Sequence, residues 1–154
     1  MSETIGNYDE PKIQDGAFDL VNSISQSGLK IWIVTGSIDP ALPKRLEEDF
    51  FGLISPDCIV TGNDFELGKP NPEPYIIGCA KSQCELHEAL CIENAPLGTQ
   101  SASEAGIFCV AVNTGPLSDE QLIDSGARAV FSNCNDLAMR WTKLMSLVEV
   151  EDLP

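Results

Sequence analysis

The sequence predicts an α/β domain with a Rossmann-like, mostly parallel sheet flanked by helices. Short apolar runs of strand length alternate along the chain with segments in which apolar residues recur at helical spacing. Strands that alternate with helices favour parallel pairing with right-handed crossovers. With 154 residues and 43% hydrophobic content, the chain is long enough for one core and short for two. No repeat or linker divides it, so residues 1–154 are expected to form a single domain.

The first half of the chain carries clear start and stop signals. Phe18, Val21 and Ile24 recur at helical spacing, and Gly28 follows as a stop. An apolar run then predicts a strand at residues 30–34. The predicted elements of this half are helix 15–27, strand 30–34, helix 43–50, strand 58–60 and helix 73–81.

The second half of the chain also alternates between predicted strands and helices. Ala102 and Ala105 are small enough to let a helix pack closely on a sheet, and Gly106 can end that helix. Residues 113–116 read as a turn at a strand end, and residues 148–154 as a frayed acidic tail. The predicted elements are strand 90–92, helix 97–105, strand 108–112, helix 119–124, strand 129–131 and helix 134–147. The last helix has an apolar face of Leu137, Trp141, Leu144 and Met145.

Charge and cysteine content exclude several classes of function. The net charge of −15 argues against nucleic acid or an anionic membrane as a partner, because either would need a basic face. No run approaches the length of a membrane helix, and the first residues lack the pattern of a signal peptide, so a cytoplasmic location is expected. The six cysteines include no Cys-x-x-Cys pair, and disulfides are not expected.

Polar residues lie at the ends of two predicted strands and in one loop that precedes a helix. Thr35, Gly36 and Ser37 end an apolar strand, where hydroxyls and backbone N–H groups suit an oxyanion. Lys69 lies in a proline-stiffened loop, and Glu93 with Asn94 follows a third apolar run. Because parallel strands deliver their carboxyl ends to one edge of the sheet, we expect these side chains to lie close together.

This order of strand-Thr, loop-Lys and strand-Glu-Asn resembles motifs two, three and four of the haloacid dehalogenase (HAD) superfamily. The stretches Gly-Lys-Pro-Asn-Pro-Glu-Pro-Tyr (68–75) and Ile-Glu-Asn-Ala-Pro-Leu-Gly (92–98) are similar to its sugar-phosphate phosphatase and β-phosphoglucomutase branch. The resemblance runs from about Pro11 to about Leu144. It implies Mg²⁺-dependent transfer of a phosphoryl group from a small phosphorylated metabolite to an Asp, and then to water or back to the sugar.

The resemblance also implies roles for individual residues. Lys69 would be catalytic, because in the family it neutralises the nucleophile and the transferring phosphoryl group. Glu93 and Asn94 match the motif that holds Mg²⁺, although many relatives place Asp where Asn94 stands, and an amide brings less charge. The implied phosphate-binding residues are Thr35, Gly36, Ser37, Lys69 and Asn71. For Ser37 and Asn71, a purely structural role is an equal alternative.

One family motif is missing. Members begin with an apolar strand that ends in Asp-x-Asp, whose first Asp is the nucleophile, and no such motif occurs here; Asp15, Asp19 and Asp57 all lie in the wrong context. Residues 1–10 are interpreted as the remnant of a helical cap domain or a disordered start. We therefore expect a truncated or degenerate hydrolase that is inactive alone. The alternative is a non-catalytic binding or interaction module, a pseudoenzyme; a receiver- or flavodoxin-like domain is disfavoured.

The missing strand would leave a hole in the sheet. In the family it lies between the strands matching residues 30–34 and 90–92, so its loss would expose unpaired backbone groups. We expect these two strands to close up and pair directly, or residues 1–10 or a second chain to insert a strand. In solution, self-association or a low melting temperature is expected.

Overall fold

The computed structural model describes the backbone of residues 13–151 and the side chains of residues 13–148. Helices and strands alternate, and a short 3₁₀ turn at Leu86–Glu88 precedes β3. The elements in chain order are α1 (Ala17–Gln26), β1 (Ile33–Val34), α2 (Leu42–Asp49), β2 (Ile59–Val60), α3 (Glu73–Ser82), β3 (Leu90–Glu93), α4 (Pro96–Glu104), β4 (Phe108–Val112), α5 (Asp119–Asp124), β5 (Ala129–Phe131), α6 (Cys134–Met139) and α7 (Trp141–Glu151).

All strand pairs are parallel, which confirms the predicted α/β class. The strands form two sheets, β1-β2 and β3-β4-β5. Ile33 pairs with Ile59 in the first sheet. In the second, Cys91 pairs with Cys109, and Val110 pairs with Ala129.

The expected closure of the hole by direct pairing is wrong. Thr35 N donates to Val60 O (2.9 Å) on the β2 side of β1, but β1 and β3 belong to separate sheets. The Lys69 side chain lies between their ends, where its ammonium contacts both Val34 O and the Glu93 carboxylate. The polar groups at the two strand ends are therefore joined through a side chain and not by backbone pairing. The alternative, insertion of residues 1–10, falls outside the described residues.

Helices cover both faces of the larger sheet. On one face, Leu20 of α1 and Leu137 and Trp141 of α6 and α7 pack against Val110 and Phe131. On the other, side chains of α3 and α4 pack against the cysteines of β3 and β4. Trp141 is 3% exposed, so the predicted apolar face of the last helix is confirmed.

Most predicted bounds lie within two residues of the observed ones, and three predicted segments differ more. The strand at 30–34 shortens to Ile33–Val34, because β2 pairs only with these two residues. Helix 134–147 is two helices separated at Arg140, whose N–H group is shared between the carbonyls of Asp136 and Leu137 and so tightens the turn. The expected tail is helical as far as Glu151, and residues 152–154 lie outside the described part.

The six cysteines are free in this structure. Within residues 13–151, no helix is long and apolar enough to cross a membrane.

Candidate functional site

The loop after β1 has its own hydrogen-bond pattern. The Thr35 hydroxyl accepts from Ser37 N (3.1 Å), and the Ser37 hydroxyl accepts from Asp39 N (3.2 Å). Ser37 O accepts from Gly62 N (2.9 Å), which ties the loop to the end of β2. The predicted phosphate-binding residues Thr35, Gly36 and Ser37 therefore share one turn, in which both hydroxyls already stabilise the backbone.

Lys69 crosses from its loop to the gap between the two sheets. Its ammonium donates to Val34 O (3.2 Å) and to Glu93 Oε1, and lies 4.9 Å from the centre of the Tyr75 ring. The Lys69 side chain is 23% exposed. The predicted meeting of Lys69 with the end of the first strand and with Glu93 is thus observed.

Glu93 is the centre of the cluster. Its Oε1 accepts from the Lys69 ammonium and the Tyr75 hydroxyl, and its Oε2 accepts from Asn94 N (3.2 Å). The carboxylate lies against Gly98 in the first turn of α4, where the helix dipole favours negative charge. The side chain is only 11% exposed, so these donors replace the water it gives up.

Gly98 is a site residue that sequence reasoning missed. A Cβ there would lie 2.1–2.3 Å from the carboxylate atoms of Glu93, so only glycine admits the carboxylate. The signal was present: a glycine inside a helix costs about 1 kcal/mol relative to alanine, and so indicates a packing reason.

Tyr75 was also missed, although it ends one of the quoted motifs. It is 8% exposed and projects from α3 toward Glu93. Burial, and after it the neighbouring Cys91 and Glu93, raise the pKa of the Tyr75 phenol far above its usual value. The phenol therefore stays protonated and serves as a donor to Glu93.

The two amide residues make different contacts. Asn71 Oδ1 accepts from Glu73 N (2.9 Å) at the start of α3, and Asn71 O accepts from the buried Ser101 hydroxyl (2.6 Å). Asn71 thus stabilises the lysine loop, the structural role left open by the sequence. Asn94 is exposed, and its Nδ2 lies 3.5 Å from the Thr114 hydroxyl after β4.

The arrangement places one cation and one carboxylate at the carboxyl edge of the strands. Paired with Glu93, Lys69 adds no net charge, but it presents N–H groups beside the gap. Within residues 13–148, no group of three or more His, Cys, Asp or Glu side chains surrounds a common point. The described site thus combines the N–H donors of Lys69 with one largely buried carboxylate.

The free energy of unfolding should fall at alkaline pH because the Tyr75 phenol is buried. The unfolded chain releases this proton near pH 10, whereas the folded chain keeps it, so stability is intact below about pH 10 and falls above it by roughly 1.4 kcal/mol per pH unit. The Tyr75→Phe variant should lack this part of the loss. Urea unfolding of both proteins at several pH values between 8 and 11 (roughly the range spanning the tyrosine pKa) measures it; parallel stability profiles would contradict it.

Most of the chain matches a known protein family. The family model described as "Haloacid dehalogenase-like hydrolase" matches residues 2–112. Validoxylamine A 7'-phosphate phosphatase of Streptomyces hygroscopicus is 32% identical over 104 residues, 65% of this chain and 46% of that protein. Hexitol phosphatase A of Escherichia coli is 32% identical over 98 residues, 64% of this chain and 44% of that protein.

A solved structure has the same fold as this chain. A candidate β-phosphoglucomutase from Bacteroides vulgatus superposes with a TM-score of 0.87 and 40% identity, over 93% of this chain and 58% of that chain. The chain spans somewhat less than half the length of these two curated relatives.

Proposed function

Because the chain belongs to the haloacid dehalogenase-like hydrolase family, we propose that it contributes to a phosphatase or phosphomutase site for small phosphorylated metabolites. The two similar phosphatases are named for small phosphorylated substrates, validoxylamine A 7'-phosphate and a hexitol phosphate. The observation that carries the proposal is the Lys69 ammonium, fixed between Val34 O and Glu93 at the edge where the strands end.

In this proposal, the Lys69 ammonium donates hydrogen bonds to the oxygens of a phosphoryl group and of the carboxylate that attacks it. The Gly36 N–H group and the hydroxyls of Thr35 and Ser37 donate to the phosphoryl oxygens, since the N–H groups of Thr35 and Ser37 already have partners. The Asn71 amide nitrogen is a further donor. Tyr75 and Gly98 hold Glu93, and through it Lys69.

Members of this family typically depend on Mg²⁺. Here the proposed ligands are one carboxylate, Glu93, and the amide oxygen of Asn94, and the Glu93 carboxylate already accepts from an ammonium, a phenol and an amide. Magnesium prefers six oxygen ligands and usually retains water. The described residues therefore do not fit a magnesium site by themselves, and we propose weak or no Mg²⁺ binding by this chain.

We further propose that this chain alone is inactive. An aspartyl-phosphate intermediate needs an attacking carboxylate, and the sequence has no Asp-x-Asp after an apolar strand. The runner-up is a binding module that keeps the anion site without catalysis. An Asp-x-Asp segment encoded in frame upstream would favour the hydrolase.

Phosphate titration and activity assays test the proposal together. We expect no turnover of p-nitrophenyl phosphate with Mg²⁺, and weak phosphate binding that shifts the backbone amide NMR signals of Thr35, Gly36 and Ser37. Lys69→Met should abolish these shifts, while Lys44→Met, on exposed α2, should retain them. Turnover that Lys69→Met removes would refute the claim of inactivity, and phosphate shifts that survive Lys69→Met would refute the site.

We propose that the gap between β1 and β3 is a place where another chain can bind. Its edges can accept a strand from another chain, so self-association or strand complementation is expected. Sedimentation velocity should show dimers or larger species that increase with protein concentration. A monomer at all concentrations, with a high and cooperative melting transition, would contradict the expectation.

A further inference from the structure

The C-terminal turn of α3 brings two thiols together. Gln83 adopts a left-handed conformation (φ 59°), Gln83 N donates to Ala80 O (3.2 Å), and Cys84 N donates to Cys79 O (3.1 Å). This pair of hydrogen bonds defines a Schellman motif, in which the side chains at the positions of Cys79 and Cys84 contact each other. Both residues belong to the same apolar cluster.

The two thiols differ in their access to solvent. Cys79 is 7% exposed, whereas Cys84 is half-buried. Burial and the adjacent Cys84 thiol raise the pKa of Cys79 to about 12. The Ser82 hydroxyl lies 3.1 Å from the Cys84 sulfur and can donate to it. An oxidant in solution therefore reaches Cys84 first.

We propose that Cys79 and Cys84 form a reversible disulfide in response to a peroxide, a modification separate from the phosphoryl site. The Cys84 thiolate attacks one oxygen of the peroxide, breaking the O–O bond and giving a sulfenic acid with release of water or an alcohol. The Cys79 sulfur then attacks the Cys84 sulfur, hydroxide leaves and takes up the Cys79 proton as water, and the S–S bond forms. Two electrons pass from the thiols to the peroxide.

A second thiol pair provides a matched internal control. Cys91 and Cys109 are register partners on adjacent strands, so their side chains also face each other. They are 6% and 1% exposed, and neither is open to solvent. Proximity alone would oxidise both pairs, whereas the access argument selects only Cys79 and Cys84.

Peptide mapping of the full chain tests the proposal. Lys81 lies between the two cysteines, so trypsin with chymotrypsin places them on separate peptides, 76–81 and 82–86. After hydrogen peroxide and thiol blocking, we expect these peptides to be linked, with a loss of about 2 Da that dithiothreitol reverses. Cys84→Ser should abolish the link, and Cys79→Ser should leave a Cys84 sulfenic acid that dimedone traps.

Dimedone added to the unaltered protein keeps the test valid if Cys79→Ser fails to fold, since it should label Cys84 and reduce the linkage. No 76–81 to 82–86 link would overturn the proposal. Equal oxidation of Cys91 and Cys109, or links mainly between chains, would overturn it as well.

Discussion

Replacing Gly98 with alanine should destabilise the protein by about 1–3 kcal/mol. It should also break the hydrogen bonds that Lys69 and Tyr75 donate to Glu93. Helix propensity alone predicts the opposite sign, a gain of about 1 kcal/mol. The clash outweighs that gain, because the new Cβ would lie 2.1–2.3 Å from the Glu93 carboxylate. Glu93 would have to leave the first turn of α4 and lose donors that compensate its burial.

Gly115→Ala is the matched control, since a Cβ at Gly115 would have no neighbour within 4 Å and its change should stay within about 0.5 kcal/mol. Urea unfolding measures both variants. Amide NMR signals of Lys69 and Tyr75 should shift in Gly98→Ala and remain in Gly115→Ala. If Gly98→Ala were as stable as the unaltered protein with unchanged signals, the carboxylate would not occupy the position beside Gly98.

The sequence predicts the alternation of strands and helices because apolar periodicity and glycine stops are local. It also predicts that Lys69 and Glu93 meet, since parallel strands end at one edge. Strand ends do not link Tyr75 or Gly98 to Glu93, because these contacts depend on the direction of the Glu93 side chain at the end of β3. The separation of β1 from β3 is a non-local outcome too, because the pairing of strands distant in the sequence depends on how the whole chain packs.

The Lys69–Glu93 pair should show a strong energetic coupling. A double-mutant cycle of Lys69→Met, Glu93→Gln and the double variant should give about 1–3 kcal/mol, because each single change leaves a largely buried partner with unmet polar contacts. The side chains are 23% and 11% exposed. The exposed pair Lys44–Glu48, at 80% and 65%, should couple by only about 0.3–0.5 kcal/mol.

The same cycle separates two roles of Lys69. Because the ammonium also donates to Val34 O, Lys69→Met should remain destabilising even when Glu93 is already Gln. Glu93→Gln keeps one oxygen, which can still accept from Tyr75 at the Oε1 position, but it loses the Oε2 acceptor of Asn94 N. It leaves no unpaired carboxylate in the site, so it should cost less than Lys69→Met. Urea unfolding of the four proteins measures these differences. Equal costs for the two single variants, with no coupling between them, would mean that Lys69 does not connect the end of β1 to the end of β3.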